Sequence, residues 1–244
     1  MSTGQNYLRL IVYAPALERT DERPLFIVHE MERALPGLKL KWTVSEQGDL
    51  LAVPERDDWV KKDGGLPFLC NDEDDNLVTL TGLDTPEDSG DRAQFEVFAR
   101  LPLDTLAAMD VLEAVAEGAS ARWGHLTPFL SAVEIAEQTA PTLAGPPVPP
   151  RGLPALKLPD EIHPPEVPHR LGWLNYWSAE TARALGFPDP TLDTELRARA
   201  RRTATGGWVV PLTQASLDLD DPTHLDALQR AYTRFPLIGG RGNS

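Results

Sequence analysis

The stretch Cys70-Asn71-Asp72-Glu73-Asp74-Asp75-Asn76 puts a lone thiol beside four consecutive acids, residue types that a nucleophile or a calcium site would use. Neither chemistry completes itself. An EF-hand loop takes Asp or Asn at positions 1, 3 and 5, Gly at 6 and Glu at 12. Asp72, Asp74 and Asn76 fit the first three, but Leu77 and Leu83 stand at the two discriminating places. Acids beside Cys70 raise the pKa of a thiol, so the expectation is a buried, inert cysteine. What remains is an acidic hairpin loop, either simply solvated or facing a partner. A second group of acids follows at Asp84, Glu87, Asp88 and Asp91, giving eight carboxylates between positions 72 and 91, with only Arg92 beside them. Such a cluster repels itself unless it is solvated or meets a basic partner. Asp72, Glu73, Asp74, Asp75, Asp84, Glu87, Asp88 and Asp91 are therefore the candidate partner-binding residues.

The rest of the chain offers no catalytic constellation to read. The five histidines, His29, His125, His163, His169 and His224, fall outside any HExxH pattern, and paired CxxC motifs are missing. Asp218, Asp220 and Asp221 stand just before Pro222, where a helix start favours negative charge. Neither GxSxG nor SxxK occurs, and the pairs Gly64-Gly65, Gly206-Gly207 and Gly239-Gly240 match no phosphate-binding fingerprint. Catalytic, metal and cofactor residues are expected to be none.

Composition sets the wider bounds. The chain has 244 residues, 41% hydrophobic and 25% charged, enough for a sizeable core. Its net charge of −14 lies wholly in residues 1–140, which hold 26 acids and 12 bases; the remainder holds 11 of each. Such a surface does not favour a nucleic-acid backbone or an anionic membrane. One cysteine excludes an internal disulfide. With no run of 18 apolar residues and no secretory pattern at the N-terminus, the expectation is a cytoplasmic protein without membrane insertion.

Periodicity then places the elements. Strands are expected at 7–14, at 38–44 with Leu38, Leu40, Trp42 and Val44 on one face, at 50–53, at 77–83, and at 92–101 with Phe95, Val97, Ala99 and Leu101 together. A helix runs from Asp21 to Leu35, and a longer one from Leu103 to about Ala121 buries Ala108, Val111, Leu112, Val115 and Ala119. Thr127-Pro128 opens either a helix to Gln138 or a strand over 132–136. Ten of the 23 prolines fall in 141–168, which excludes helix and central strand there. Leu153, Leu156, Leu158, Ile162 and Val167 would let that segment lie as an ordered strap. Beyond it come a strand at 171–177, a helix capped by Ser178, an arginine-rich helix over 190–202, a strand at 208–212 and a last helix opened by Asp221-Pro222. In the strand at 171–177, Trp173, Asn175 and Trp177 share a face and read as core or as an interface. Strands and helices mix without βαβ alternation, so the class is α+β, a mixed or antiparallel sheet with helices packed on it. The parts are 1–140, a strap over 141–170, and 171–244, expected to form one compact unit.

The segment Leu171-Gly172-Trp173-Leu174-Asn175-Tyr176-Trp177-Ser178 resembles an uncharacterised myxobacterial protein family. Gly206-Gly207-Trp208-Val209-Val210-Pro211-Leu212-Thr213, Asp220-Asp221-Pro222-Thr223-His224 and Ala231-Tyr232-Thr233-Arg234-Phe235-Pro236 continue the likeness over about residues 170–241. That family is similar to immunity proteins of bacterial polymorphic toxin systems. The resemblance implies a non-catalytic protein that binds a cognate toxin one to one, and a basic toxin would suit the acidic charge of residues 1–140. Other readings are an adaptor or structural protein of a secretion or surface-recognition system, or a metal-assisted hydrolase.

Overall fold

The computed structural model describes residues 7–73, 75–85, 94–104, 106–139 and 148–242. It is α+β, with antiparallel strand pairing. The chain divides into two compact units, one spanning Tyr7–Gly124 and one from His125 onward.

The first unit is built from β1 (Tyr7–Pro15), α1 (Arg23–Ala34), β2 (Trp42–Val44), β3 (Leu50–Ala52), α2 (Arg56–Asp63), β4 (Leu69–Cys70), β5 (Thr79–Thr85), β6 (Gln94–Pro102) and α3 (Ala108–Gly118). Its strands lie in the order β3-β2-β4-β5-β6-β1. The expected alternation in β6 is met: Phe95, Val97, Ala99 and Leu101 are buried, opposite Ala14, Val12, Leu10 and Leu8 of β1. The stripes of α1 (Ile27, Val28, Met31) and α3 (Ala108, Val111, Leu112, Val115) complete the core. Those two helices approach so closely that a Cβ on Gly118 would stand 3.2 Å from the Ile27 Cα. Arg23 fastens this corner by donating to Asp21 and to the carbonyls of Pro15, Ala16 and Ala119. Burial alone would raise the Asp21 carboxyl, but the Arg23 hydrogen bonds outweigh it and hold it below its ordinary value.

Two segments depart from expectation. The strand expected over 38–44 begins only at Trp42, because side chains take the backbone of Leu40. Its N–H donates to Glu32 Oε1 at 2.8 Å, and its carbonyl accepts from Arg56 Nη1. Arg56 is itself buried and ion-paired with Glu32, while Asp57 meets His29 Nε2 at 2.9 Å. This network holds α2 against α1. With Trp59 and Val60 as its only apolar residues of size, α2 carries too thin a stripe for periodicity to reveal it.

β7 (Trp123–Pro128) carries the chain from one unit into the next, and all six of its residues are buried. Trp123 stacks on Tyr13 at 3.9 Å. The second unit continues with α4 (Phe129–Ala136), β8 (Leu174–Trp177), α5 (Ala179–Leu185), α6 (Thr194–Arg199), β9 (Arg201–Arg202), β10 (Trp208–Pro211) and α7 (Pro222–Arg234). Its strands run in the order β7-β8-β10-β9. Of the two readings after Pro128, the helix is the one found. The helix expected over 190–202 is shorter, because Asp189 Oδ1 draws in the N–H groups of Thr191 and Leu192. Beyond Arg199 the chain turns extended and pairs Arg202 with Trp208. Both expected caps form: Ser178 accepts from Thr181 N at 3.1 Å, and Asp221 from Thr223 N at 2.8 Å.

Prolines from 148 on form an ordered strap over this second unit, while positions 140–147 lie outside the described residues. Leu153, Leu156 and Val167 are buried, whereas Leu158 is exposed. Leu156 N donates to Gln138 O, Lys157 N to Gly239 O, and Gly239 N to Pro168 O, all within 2.9–3.0 Å. Arg151 joins Glu134 to Asp220.

Candidate partner interface

The acidic hairpin loop sits where the sequence placed it, between β4 and β5, with Leu69 opposite Leu80 and Cys70 opposite Thr79. Its frame is Asn71, which spacing did not single out. Asn71 is buried; its Nδ2 donates to Asn76 O at 3.0 Å and its Oδ1 accepts from Val78 N at 2.9 Å. A side-chain amide bridging a turn in this way is the Asx habit of turn residues. Asp72, Glu73 and Asp75 project from the loop into solvent. Cys70 is buried, and its thiol is pushed up, first by burial and then by the charge of Asp72. That is a direction opposite to activation.

The remaining candidate acids divide. Asp84 is exposed near the far end of β5 and accepts from Leu17 N at 3.0 Å. About 17 Å of strand separates it from the start of β5, at roughly 3.4 Å per residue. Asp72, Glu73 and Asp75 are thus gathered in one loop, and Asp84 stands apart from them. Asp74, Glu87, Asp88 and Asp91 lie outside the described residues.

Long-range pairing adds an apolar row that the sequence did not reveal. Val44 of β2 faces Leu50 of β3, and Trp42 faces Cys70 of β4, which sets Phe68 opposite Val44 two positions on. Thr43 Oγ1 donating to Phe68 O at 2.8 Å fixes that approach. Leu50, Val44 and Phe68 are 44%, 45% and 37% exposed, and Leu51 is 48% exposed. Single exposed leucines are ordinary, but three aligned side chains over neighbouring strands form a patch. The one signal available beforehand was the run Leu50-Leu51-Ala52, which has no polar alternate although it occupies a strand.

Elsewhere, a cleft of about 380 Å³ opens between α6 and α7 beside Leu212, bordered by Leu192, Glu195, Arg199, Arg230 and Arg234. Its arginines are engaged: Arg199 with Leu212 O, Arg230 with Asp226, Arg234 with Asp193. Trp177 belongs to the core, edge-on to Phe187 and Phe235 at 5.1 and 5.0 Å. Trp173 is half-buried, and its indole N–H donates to Thr213 O at 3.2 Å. Among the described residues, no group of three or more His, Cys, Asp or Glu is placed to hold a metal ion. No helix there is long and apolar enough to cross a membrane.

These features define an α+β protein of antiparallel strands with an acidic loop and an exposed apolar row in its first unit. The chain belongs to the family described as domain of unknown function DUF5953, whose model matches residues 19–243. No curated protein matches it. Its fold is similar to that of the Pseudomonas aeruginosa T6SS protein PA0821, with a TM-score of 0.54 at 17% identity over 94% of this chain and 73% of that one.

Proposed function

We propose that this is a non-catalytic binding protein, a cytoplasmic immunity protein that neutralises a cognate bacterial toxin by one-to-one association. The observation that carries the reading is the union, in one unit, of a projecting acidic loop (Asp72, Glu73, Asp75) with the apolar row Leu50, Val44 and Phe68. Apolar side chains supply contact area at an interface, and acids around them steer a basic partner and fix its register. The similarity of its fold to that of a T6SS protein is consistent with a role beside a secretion system.

Co-expression with the product of the neighbouring gene tests this. The expected result is restored growth of cells carrying that product as a toxin, together with an equimolar complex on gel filtration. Continued killing with no complex would refute it. The same fold similarity supports an adaptor of a secretion apparatus as a second reading, for which capture of apparatus subunits without rescue is the distinguishing result.

A further inference from the structure

We propose that the open edge of β3 receives an extended, basic-flanked segment of a partner protein as an added strand; this rests on the protein-binding reading above and specifies its mode. Among the described residues, β3 ends the strand order of the first unit and pairs with β2 alone. The ladder tells which backbone groups are spare. Ser45 N donates to Asp49 O at 2.8 Å and Val53 N to Lys41 O at 2.7 Å, on either side of the three facing pairs. Hydrogen-bonded and non-bonded pairs alternate in an antiparallel ladder. Thr43–Leu51 is therefore the bonded pair, and Leu50 and Ala52 turn their N–H and C=O groups away from β2. Those two residues offer a donor and an acceptor each to whatever lies alongside.

Side chains reinforce this. Leu50, Leu51 and Ala52 are all exposed, so apolar groups stand on both faces of the edge strand. Edge strands are ordinarily blunted by lysine, proline or brevity. Here only brevity and the following Pro54 act, and neither blocks Leu50 or Ala52. Charge identifies the occupant. Glu46 and Asp49 precede the strand and Glu55 and Asp58 follow it, all exposed. Arg56, the one cation between 45 and 58, is buried against Glu32 and Asp57. The edge thus suits a segment with alternating apolar residues and Lys or Arg at both ends. Main-chain bonds would supply affinity, and the Leu50–Val44–Phe68 row would select side chains.

The probe is a synthetic peptide of alternating valine and threonine with two lysines at each end, titrated into the isotope-labelled full-length protein and followed by amide NMR. Shifts and exchange protection are expected at the Leu50 and Ala52 amides. A peptide with glutamate in place of lysine should bind at least about tenfold more weakly. Ala52→Pro removes one outward donor while sparing the Thr43–Leu51 bonds, as proline is tolerated where an edge N–H faces solvent. It should abolish peptide binding with the remaining spectrum retained. Leu50→Lys, a charge on the edge, should do likewise and covers the case in which the proline variant fails to fold. Silence at Leu50 and Ala52 at about 1 mM peptide overturns the proposal. So does unchanged binding by a folded variant, or a concentration-dependent dimer, removed by the same variants, that marks the edge as a self-pairing site. None of these results bears on toxin rescue, which judges the functional reading separately.

Discussion

The buried carboxylate of Asp193, at the start of α6, is held by the guanidinium of Arg234 from the last turn of α7, at 2.7 and 2.9 Å. Asp193 also accepts from Asp189 N at 2.7 Å. One charge pair therefore joins the entry of a short helix to the exit of a long one. Asp193 is thus paired across to α7.

Breaking that pair strands a charge in the interior. Arg234→Ala is expected to destabilise the second unit by about 3 kcal/mol, the low end for a buried pair because Arg234 is partly exposed. Urea unfolding measures it. Adding Asp193→Asn should recover part of the loss, and strictly additive losses would show that the two side chains do not couple.

The two tryptophans should separate. Trp177→Ala removes a fully buried ring packed on Phe187 and Phe235 and should cost about 3–5 kcal/mol. Trp173→Phe keeps most of the half-buried ring and loses only the bond to Thr213 O, a cost of about 1 kcal/mol. Thermal melts of both variants check the ordering, and a larger loss for Trp173→Phe would contradict the core assignment.

Acid should weaken the fold through His169. Burial, aided by the Arg170 charge, pushes this imidazole down from its ordinary 6.5 to about 4. Between those values the unfolded chain binds a proton that the folded one refuses. The stabilisation is full above pH 6.5 and is lost as pH falls toward 4, up to about 3 kcal/mol. The lowered carboxyls of Asp21 and Asp57 add their own loss only below about pH 4. Unfolding free energies across pH 4–7 should therefore slope in the wild type and flatten in His169→Gln. An equal slope in both would assign the effect to another group.

Replacing Asp72, Glu73 and Asp75 together by Asn, Gln and Asn should leave the melting temperature nearly unchanged, because none of the three is buried. Association with a basic partner should slow several-fold, and the wild-type rate should fall with salt as the Debye length shrinks from about 10 Å at 0.1 M to about 3 Å at 1 M. Stopped-flow kinetics at two salt concentrations measure both effects. A salt-independent rate, equal in the two proteins, would make the loop a solvated turn and nothing more.

Local signals were the legible part of this chain. The alternation Phe95, Val97, Ala99, Leu101, the stripe of α3 and the caps at Ser178 and Asp221 each follow from neighbours a few positions apart. What escaped depends on distant residues. Leu40 left its strand because Glu32 and Arg56 took its backbone. β7, with Gly124, His125 and Pro128, carries no strand alternation in its sequence yet is buried throughout. Gly124 is needed there: a Cβ on it would come within 2.9 Å of Ile11 O. At the candidate interface the acids were legible as a cluster. The apolar row was not, since it exists only once β2, β3 and β4 are paired.

Asn71 does its work with both ends of its amide, and neither bond involves an acid of the loop it closes. Shape and charge are consequently written by different residues. Asp72, Glu73 and Asp75 can be exchanged, reversed in sign or shortened without re-aiming the hairpin. Under the proposed binding role, a lineage confronted with a new partner would revise recognition there one side chain at a time, each step starting from a scaffold already in place.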